Sequence, residues 1–301
     1  MTDATERIRT YTGPELAAPL VSTQWLADHL GSPSMVVLDA TVVRVDRLGG
    51  GYGWLSALDQ YLIEGHIPGA LVADLVEEFS DPRGEYGFAR PDVERFEEAA
   101  AAVGIDDAAT VIVYDTANGR WAARLWWLLR SFGHDRVAVL DGGMTKWKAE
   151  GRPTEAGWVA PAGGVEFHAR PRPELWADAA QVSAVLSGER DGLLLCGVPS
   201  REFRGESGLR SRLGHIPGSV SVPASRLVDR ETNALLDAES LLAVFADVID
   251  GAPHIIAYCA AGIVAALDAL ALAVVGHTDV AVYDGSLNEW AADPARPLAS
   301  G

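Results

Sequence analysis

Two thiols stand among the reactive side chains of this chain, Cys196 and Cys259. Cys259 lies in "HIIAYCAAGIVAALDALALAVVG", residues 254–276, between a short β-branched apolar run and a long apolar stretch with helical spacing. The residues at the seam are small, and Gly262 tolerates positive φ, so backbone N–H groups can converge on one point. Such a nest, with the positive end of a helix dipole behind it, stabilises an anion. A cysteine there is favoured as the thiolate, the nucleophilic form. Free cysteines also serve as small packing residues, so one motif leaves both readings open. A second stretch decides between them. "TVIVYDTANGRWAARLWWLLRSFG", residues 110–133, has the same layout with Asp115 in place of the cysteine. A packing site in a core rarely accepts a carboxylate, so the position is read as functional.

The surrounding elements occur twice. "EGHIPGA" at 64–70 returns as "LGHIPGS" at 213–219, "VYD" ending at Asp115 returns as "AYC" ending at Cys259, and "VLDGGMTKW" at 139–147 returns as "VYDGSLNEW" at 282–290. Solenoid repeats have periods of about 20–50 residues, and these copies lie far beyond that, so the repeat is a duplicated domain. In each copy, continuous apolar runs ("MVVLDA", "ALVADL", "TVIVYD", "VAVLDG"; "GLLLCG", "SVSVP", "HIIAYC", "VAVYDG") alternate with helical patterns. The helical patterns are "PDVERFEEAAAAVG" and "GRWAARLWWLLRSFG" in the first copy, and "ESLLAVFADVI" and "IVAALDALALAVVG" in the second. The alternation predicts an α/β fold of two tandem domains, each a mainly parallel sheet flanked by helices, with the site at the carboxyl ends of the strands. Residues 15–152 and 176–300 are read as the two domains. The Pro- and Gly-rich residues 153–175 are read as the linker.

Bulk composition excludes several function classes. The chain has 301 residues, 49% hydrophobic and 22% charged, and this suits a soluble globular protein. Apolar runs fall short of the roughly 20 residues of a membrane span, and the N-terminal residues lack a signal-peptide pattern. Two cysteines cannot build a disulfide scaffold and fit the cytoplasm. A net charge of −18 argues against nucleic acid or anionic membrane as partner. Neither Cys nor His has zinc-site spacing, so no metal or other cofactor is expected.

With these motifs in place the chain resembles the tandem-domain rhodanese sulfurtransferases, the group holding thiosulfate and 3-mercaptopyruvate sulfurtransferases. The resemblance runs from about Val21 to Pro297 and rests on both "GHIPG" turns, "VYDTANGRWAARLWW", "VLDGGMTKW", "YCAAGIVAA" and "YDGSLNEW". It implies a catalytic second domain, an inactive first one, and a persulfide on Cys259 held by the loop Ala260, Ala261, Gly262, Ile263 and Val264. A small anionic donor and a cyanide, thiol or thioredoxin acceptor would then react by ping-pong transfer, in a monomer. The family's donor-binding arginines have no direct counterpart: Glu202 stands where one is common, and Arg201, Arg204, Arg210 and Arg212 are the candidates to replace them. Cys196-Gly197-Val198 replaces the family's Asp-Ala-Arg. The loop "CAAGIVA" carries neither the serine of mercaptopyruvate-type loops nor the basic residues of thiosulfate-type ones. 3-Mercaptopyruvate, with one carboxylate, is the donor expected over the thiosulfate dianion.

Two other readings are weighed. A Cdc25-like phosphatase needs Cys-x5-Arg, and Ala265 stands at the arginine position. A persulfide carrier or redox module would load sulfur but turn over slowly. Cys196 would come within disulfide reach of Cys259 only if their strands are neighbours; packing is its simpler role. His66 and His215 are read as fixing turns, Trp126 and Trp127 as packing within and between domains, and Asp141 and Asp284 as helix caps.

Overall fold

The computed structural model describes residues 13–47, 50–249 and 254–301. Residues 1–12, on which the expectation of no signal peptide rests, lie outside them. The strands are β1 (Leu20–Val21), β2 (Met35–Asp39), β3 (Val42–Asp46), β4 (Tyr52–Ser56), β5 (Leu71–Val72), β6 (Thr110–Tyr114) and β7 (Val137–Leu140) in the first copy. In the second they are β8 (Trp176–Ala177), β9 (Leu193–Cys196), β10 (Val220–Ser221), β11 (Ile255–Tyr258) and β12 (Val280–Tyr283).

Two five-stranded sheets form, ordered β1-β7-β6-β2-β5 and β10-β9-β11-β12-β8, with parallel pairing throughout. Reversing the second list matches it to the first strand by strand, so the duplication read from the sequence is a duplication of topology. The central strands β6 and β11 are buried at every residue, which is why they read as unbroken apolar runs. The antiparallel hairpin β3-β4 has no counterpart among the described residues of the second copy.

The helices Arg120–Ser131 and Ile263–Val274 follow the two central strands and pack on each other across the interface. Trp126 and Trp127 are buried, and Trp127 meets Trp176 of the second sheet edge to face, with ring centres 6.4 Å apart. A buried tryptophan removing roughly 200 Å² from water contributes about 5 kcal/mol of transfer free energy before its ordering cost. One hydrophobic core therefore runs through both copies. No helix among the described residues is long and apolar enough to cross a membrane.

The expectation that Asp141 and Asp284 cap helices is not met. The caps of the following helices are Gly142 and Gly285, with no side-chain cap bond. Each aspartate instead reaches across the interface. Asp141 accepts the N–H of Leu235 at 2.9 Å, and Asp284 accepts the N–H of Arg90 at 2.8 Å and a guanidinium bond from Arg124 at 2.6 Å. Asp141 also accepts from Lys146 Nζ at 2.8 Å within its own copy.

Both "GHIPG" histidines fix turns. The Nδ1 of His66 lies 3.0 Å from the Glu155 carbonyl, and that of His215 lies 2.8 Å from the Phe203 carbonyl. In each copy the tyrosine ending the central strand ties down the same turn: the Tyr114 hydroxyl accepts from the N–H of Ile67, and the Tyr258 hydroxyl from that of Ile216.

Candidate active site

The two copies treat their central loop alike, and the first copy shows what its N–H groups do. Asp115 is buried, and its carboxylate accepts four backbone bonds, from Ala117 (2.8 Å), Gly119 (3.0 Å), Trp121 (2.8 Å) and Ala122 (3.1 Å). Burial raises the pKa of this carboxyl, and the N–H donors and the charge of Arg120 offset only part of the rise. The loop is thus a preformed ring of backbone donors closed on a side-chain carboxyl.

In the second copy the loop is one residue shorter. Gly119 and Gly262, both in the left-handed region, start the two helices, so Trp121 and Ala122 correspond to Val264 and Ala265. Cys259 follows β11 and is 2% exposed. The first helical N–H groups, those of Ile263, Val264 and Ala265, have no intrahelical acceptor, and Ala260 and Ala261 precede them in the loop. Gly262 departs from the expected set. Its N–H and that of Cys259 both donate to Ser286 Oγ at 3.1 Å, and the hydroxyl donates to the Tyr283 carbonyl at 2.7 Å. Ser286 has φ +50°, a left-handed conformation that is strained for a residue with a Cβ. Leu287 and Asn288 donate their N–H groups to the carbonyls of Cys259 and Ala260, so the short helix Ser286–Trp290 pins the loop from below.

Cys259 faces a cavity of about 380 Å³ between the copies. The second copy contributes the loop residues with Glu202, Leu209 and Arg210, and the first contributes Tyr52, Trp54, Phe88, Arg120 and Trp121. Among the four candidate arginines only Arg210 lines it, hydrogen-bonded to Glu202. Arg201 and Arg204 pair with Glu206 outside the cavity, and Arg201 is 74% exposed. Arg212 donates to the carbonyls of Asp293 and Arg296, both at 2.7 Å. Sequence reasoning missed Ser286, Arg120 and Arg124. Arg124 is buried, contacts Asp284, and reaches the Gly262 carbonyl at 3.5 Å. For Ser286 there was a signal, a serine where the first copy has Gly143.

Strands β9 and β11 are neighbours, with Cys196 opposite Tyr258. Cys196 shares a hydrogen bond with the Tyr258 hydroxyl, and burial pushes its thiol up to about 12. Both cysteines are free. Among the described residues no cluster of His, Cys, Asp and Glu is arranged to hold a metal.

The rhodanese-like domain model matches residues 22–150 and 199–293, one region in each copy. The chain belongs to the rhodanese family of sulfurtransferases. It is 33% identical to the 3-mercaptopyruvate sulfurtransferase of Escherichia coli K12, covering 92% of this chain and 96% of that one. Identity to the thiosulfate sulfurtransferase of Rattus norvegicus is 35%, over 90% and 91% of the two chains. Among solved structures, the 3-mercaptopyruvate sulfotransferase SseA of E. coli superposes with a TM-score of 0.76 at 31% identity, covering 89% of this chain and 98% of that one. Within this rhodanese, the second copy alone carries a thiol at the central loop.

Proposed function

We propose that this sulfurtransferase moves sulfane sulfur from 3-mercaptopyruvate to a thiophilic acceptor through a persulfide on Cys259. The observation that carries the reading is the loop of the second copy, built like the one that holds the Asp115 carboxylate but with a thiol at its centre and a cavity in front.

In the first half-reaction the Cys259 thiolate attacks the donor sulfur. The carbon–sulfur bond breaks, the enolate of pyruvate leaves with the bonding pair and takes up a proton, and Cys259 carries the outer sulfur. Thiosulfate would react likewise, releasing sulfite. In this scheme the N–H groups of Ala260, Ala261, Ile263, Val264 and Ala265 meet the persulfide charge, as the matching loop of the first copy meets the Asp115 carboxyl. In the second half-reaction an acceptor such as cyanide, a small thiol or reduced thioredoxin attacks the outer sulfur, and the Cys259 thiolate leaves.

Residues 176–300 then form the domain that performs the chemistry. Residues 15–152 form one that lacks the nucleophile, and 153–175 join them. A monomer in the reducing cytoplasm, where Cys259 stays free, suits this scheme.

The test is kcat/KM for 3-mercaptopyruvate and thiosulfate, side by side with cyanide as acceptor, in wild type and Cys259→Ser. The expected result is a higher value for 3-mercaptopyruvate and loss of both activities in the variant, since a hydroxyl cannot form a persulfide. A tenth of wild-type turnover surviving in Cys259→Ser would remove Cys259 from the mechanism. A higher value for thiosulfate would overturn the choice of donor.

A further inference from the structure

The copy without the thiol supplies the cavity with a cation. Arg120 opens the helix Arg120–Ser131, lines the same cavity as Cys259, and lies over the Trp121 ring at 5.3 Å from its centre. Its Nε is buried and makes no hydrogen bond, and among the described residues no acid forms an ion pair with it. Asp115 feels its charge, yet both oxygens of Asp115 are already taken by four N–H groups. The other cation on the cavity, Arg210, is bound to Glu202 on the same wall, so that pair adds no net charge. A buried guanidinium N–H without an acceptor costs free energy, and an arriving carboxylate relieves that cost.

Beside Arg120 the wall is aromatic. The rings of Trp54 and Trp121 lie 5.4 Å apart, those of Phe88 and Trp121 5.2 Å, and those of Trp54 and Phe88 6.2 Å. One unneutralised positive charge next to an apolar face suits a molecule with one carboxylate and an apolar body. It suits a compact dianion poorly, because the rings offer the second charge no donor.

We propose that Arg120, from the domain without the nucleophile, binds the carboxylate of the sulfur substrate, and that Trp54, Phe88 and Trp121 receive its apolar body. This rests on Cys259 as the reacting thiol and assigns substrate recognition to the first domain.

The test uses alkylation of Cys259, followed by peptide mass mapping, and needs no turnover. Iodoacetate and iodoacetamide react alike with a thiolate, but only iodoacetate carries a carboxylate. The ratio of the two rates therefore reads the anion site and cancels changes in thiol reactivity. Arg120→Gln is expected to lower the iodoacetate-to-iodoacetamide ratio about tenfold, and Arg120→Lys to keep part of it. Arg201→Gln, outside the cavity, is expected to leave the ratio as in wild type. In a second arm, 3-phenylpyruvate is expected to protect wild-type Cys259 from iodoacetamide at about a fifth of the pyruvate concentration or less, as burial of its ring predicts.

A ratio in Arg120→Gln within about twofold of wild type, a smaller change than a lost charge-assisted bond gives, overturns the assignment of Arg120. Equal protection by the two keto acids overturns the aromatic subsite. Failure of the persulfide reading shows elsewhere, as sulfur transfer retained by Cys259→Ser, and leaves the alkylation ratio informative.

Discussion

At the scale of single residues, the thiol proposed to react, Cys259, sits in a loop that a hydroxyl holds from behind. Ser286 accepts the N–H groups of Cys259 and Gly262 and so fixes both ends of the turn between them. Ser286→Ala is expected to lower kcat/KM roughly tenfold or more, equivalent to losing about 1.4 kcal/mol of transition-state stabilisation. It should also cost about 1–2 kcal/mol of stability, because two buried N–H groups lose their acceptor. Ser286→Gly should show the same kinetic loss with less destabilisation, since glycine adopts the left-handed conformation freely. Unchanged kinetics in both variants would remove Ser286 from loop positioning. A second buried group gives a pH signature. Asp268, in the helix after Cys259, is fully buried with both oxygens unpartnered, and burial raises its pKa well above the usual 3.8. In the unfolded chain this carboxyl releases its proton near 3.8, while the folded protein keeps it. The folded state therefore binds the extra proton, and stability falls as pH rises above 3.8 toward the folded-state pKa. Asp268→Asn removes that titration. Its Tm relative to wild type should be near zero difference or lower at pH 4 and should improve by several degrees by pH 8. A difference independent of pH would contradict the assignment.

Elements place these residues, and they differ in how far they were legible beforehand. The central strands were readable because β6 and β11 are buried on both faces and must be apolar at every position. The hairpin β3-β4 was not. Its sequence mixes Arg44, Asp46 and Gly53 with apolar residues, and Trp54 is anchored by meeting Trp121 and Phe88, contacts between distant segments. Asp141 and Asp284 carry the local signature of a cap, so sequence alone favoured that role, and only the packed interface shows their partners. Arg120 gave no signal, because which helix end faces which cavity is a tertiary property. The setting of Cys259 was legible for the opposite reason: the strand, loop and helix around it are local in sequence, and the duplicate with Asp115 exposed the position. The element-scale prediction concerns the helix Arg120–Ser131. Arg124→Met keeps packing against Trp176 but leaves Asp284 without its cation, next to the loop that begins at Cys259. Breaking one side of a buried pair is expected to cost about 3 kcal/mol or more, read as a shift of the urea midpoint. A loss below about 1 kcal/mol, the value of an exposed pair, would show that the interface tolerates an unpaired Asp284.

The whole molecule is a duplication whose halves have diverged in chemistry while keeping one topology. One half closes its loop on the Asp115 carboxyl; the other has a thiol at that place, which on the proposed mechanism takes up sulfur from the substrate. The halves are joined by a common core and by reciprocal aspartate contacts, and the cavity in front of Cys259 takes its walls from both. Sulfur should therefore load at one place in a chain with two cysteines and two equivalent loops. Burial and a pKa near 12 keep Cys196 a thiol at neutral pH, so it should not compete. The decisive measurement is the mass of the intact protein after incubation with 3-mercaptopyruvate and removal of excess donor, followed by peptide mapping without reductant. A gain of about 32 mass units, one sulfur atom per chain, located on the Cys259 peptide and lost on adding cyanide, is the predicted result. Sulfur on Cys196, or transfer to cyanide by a protein that never gains the added mass, would contradict the persulfide mechanism.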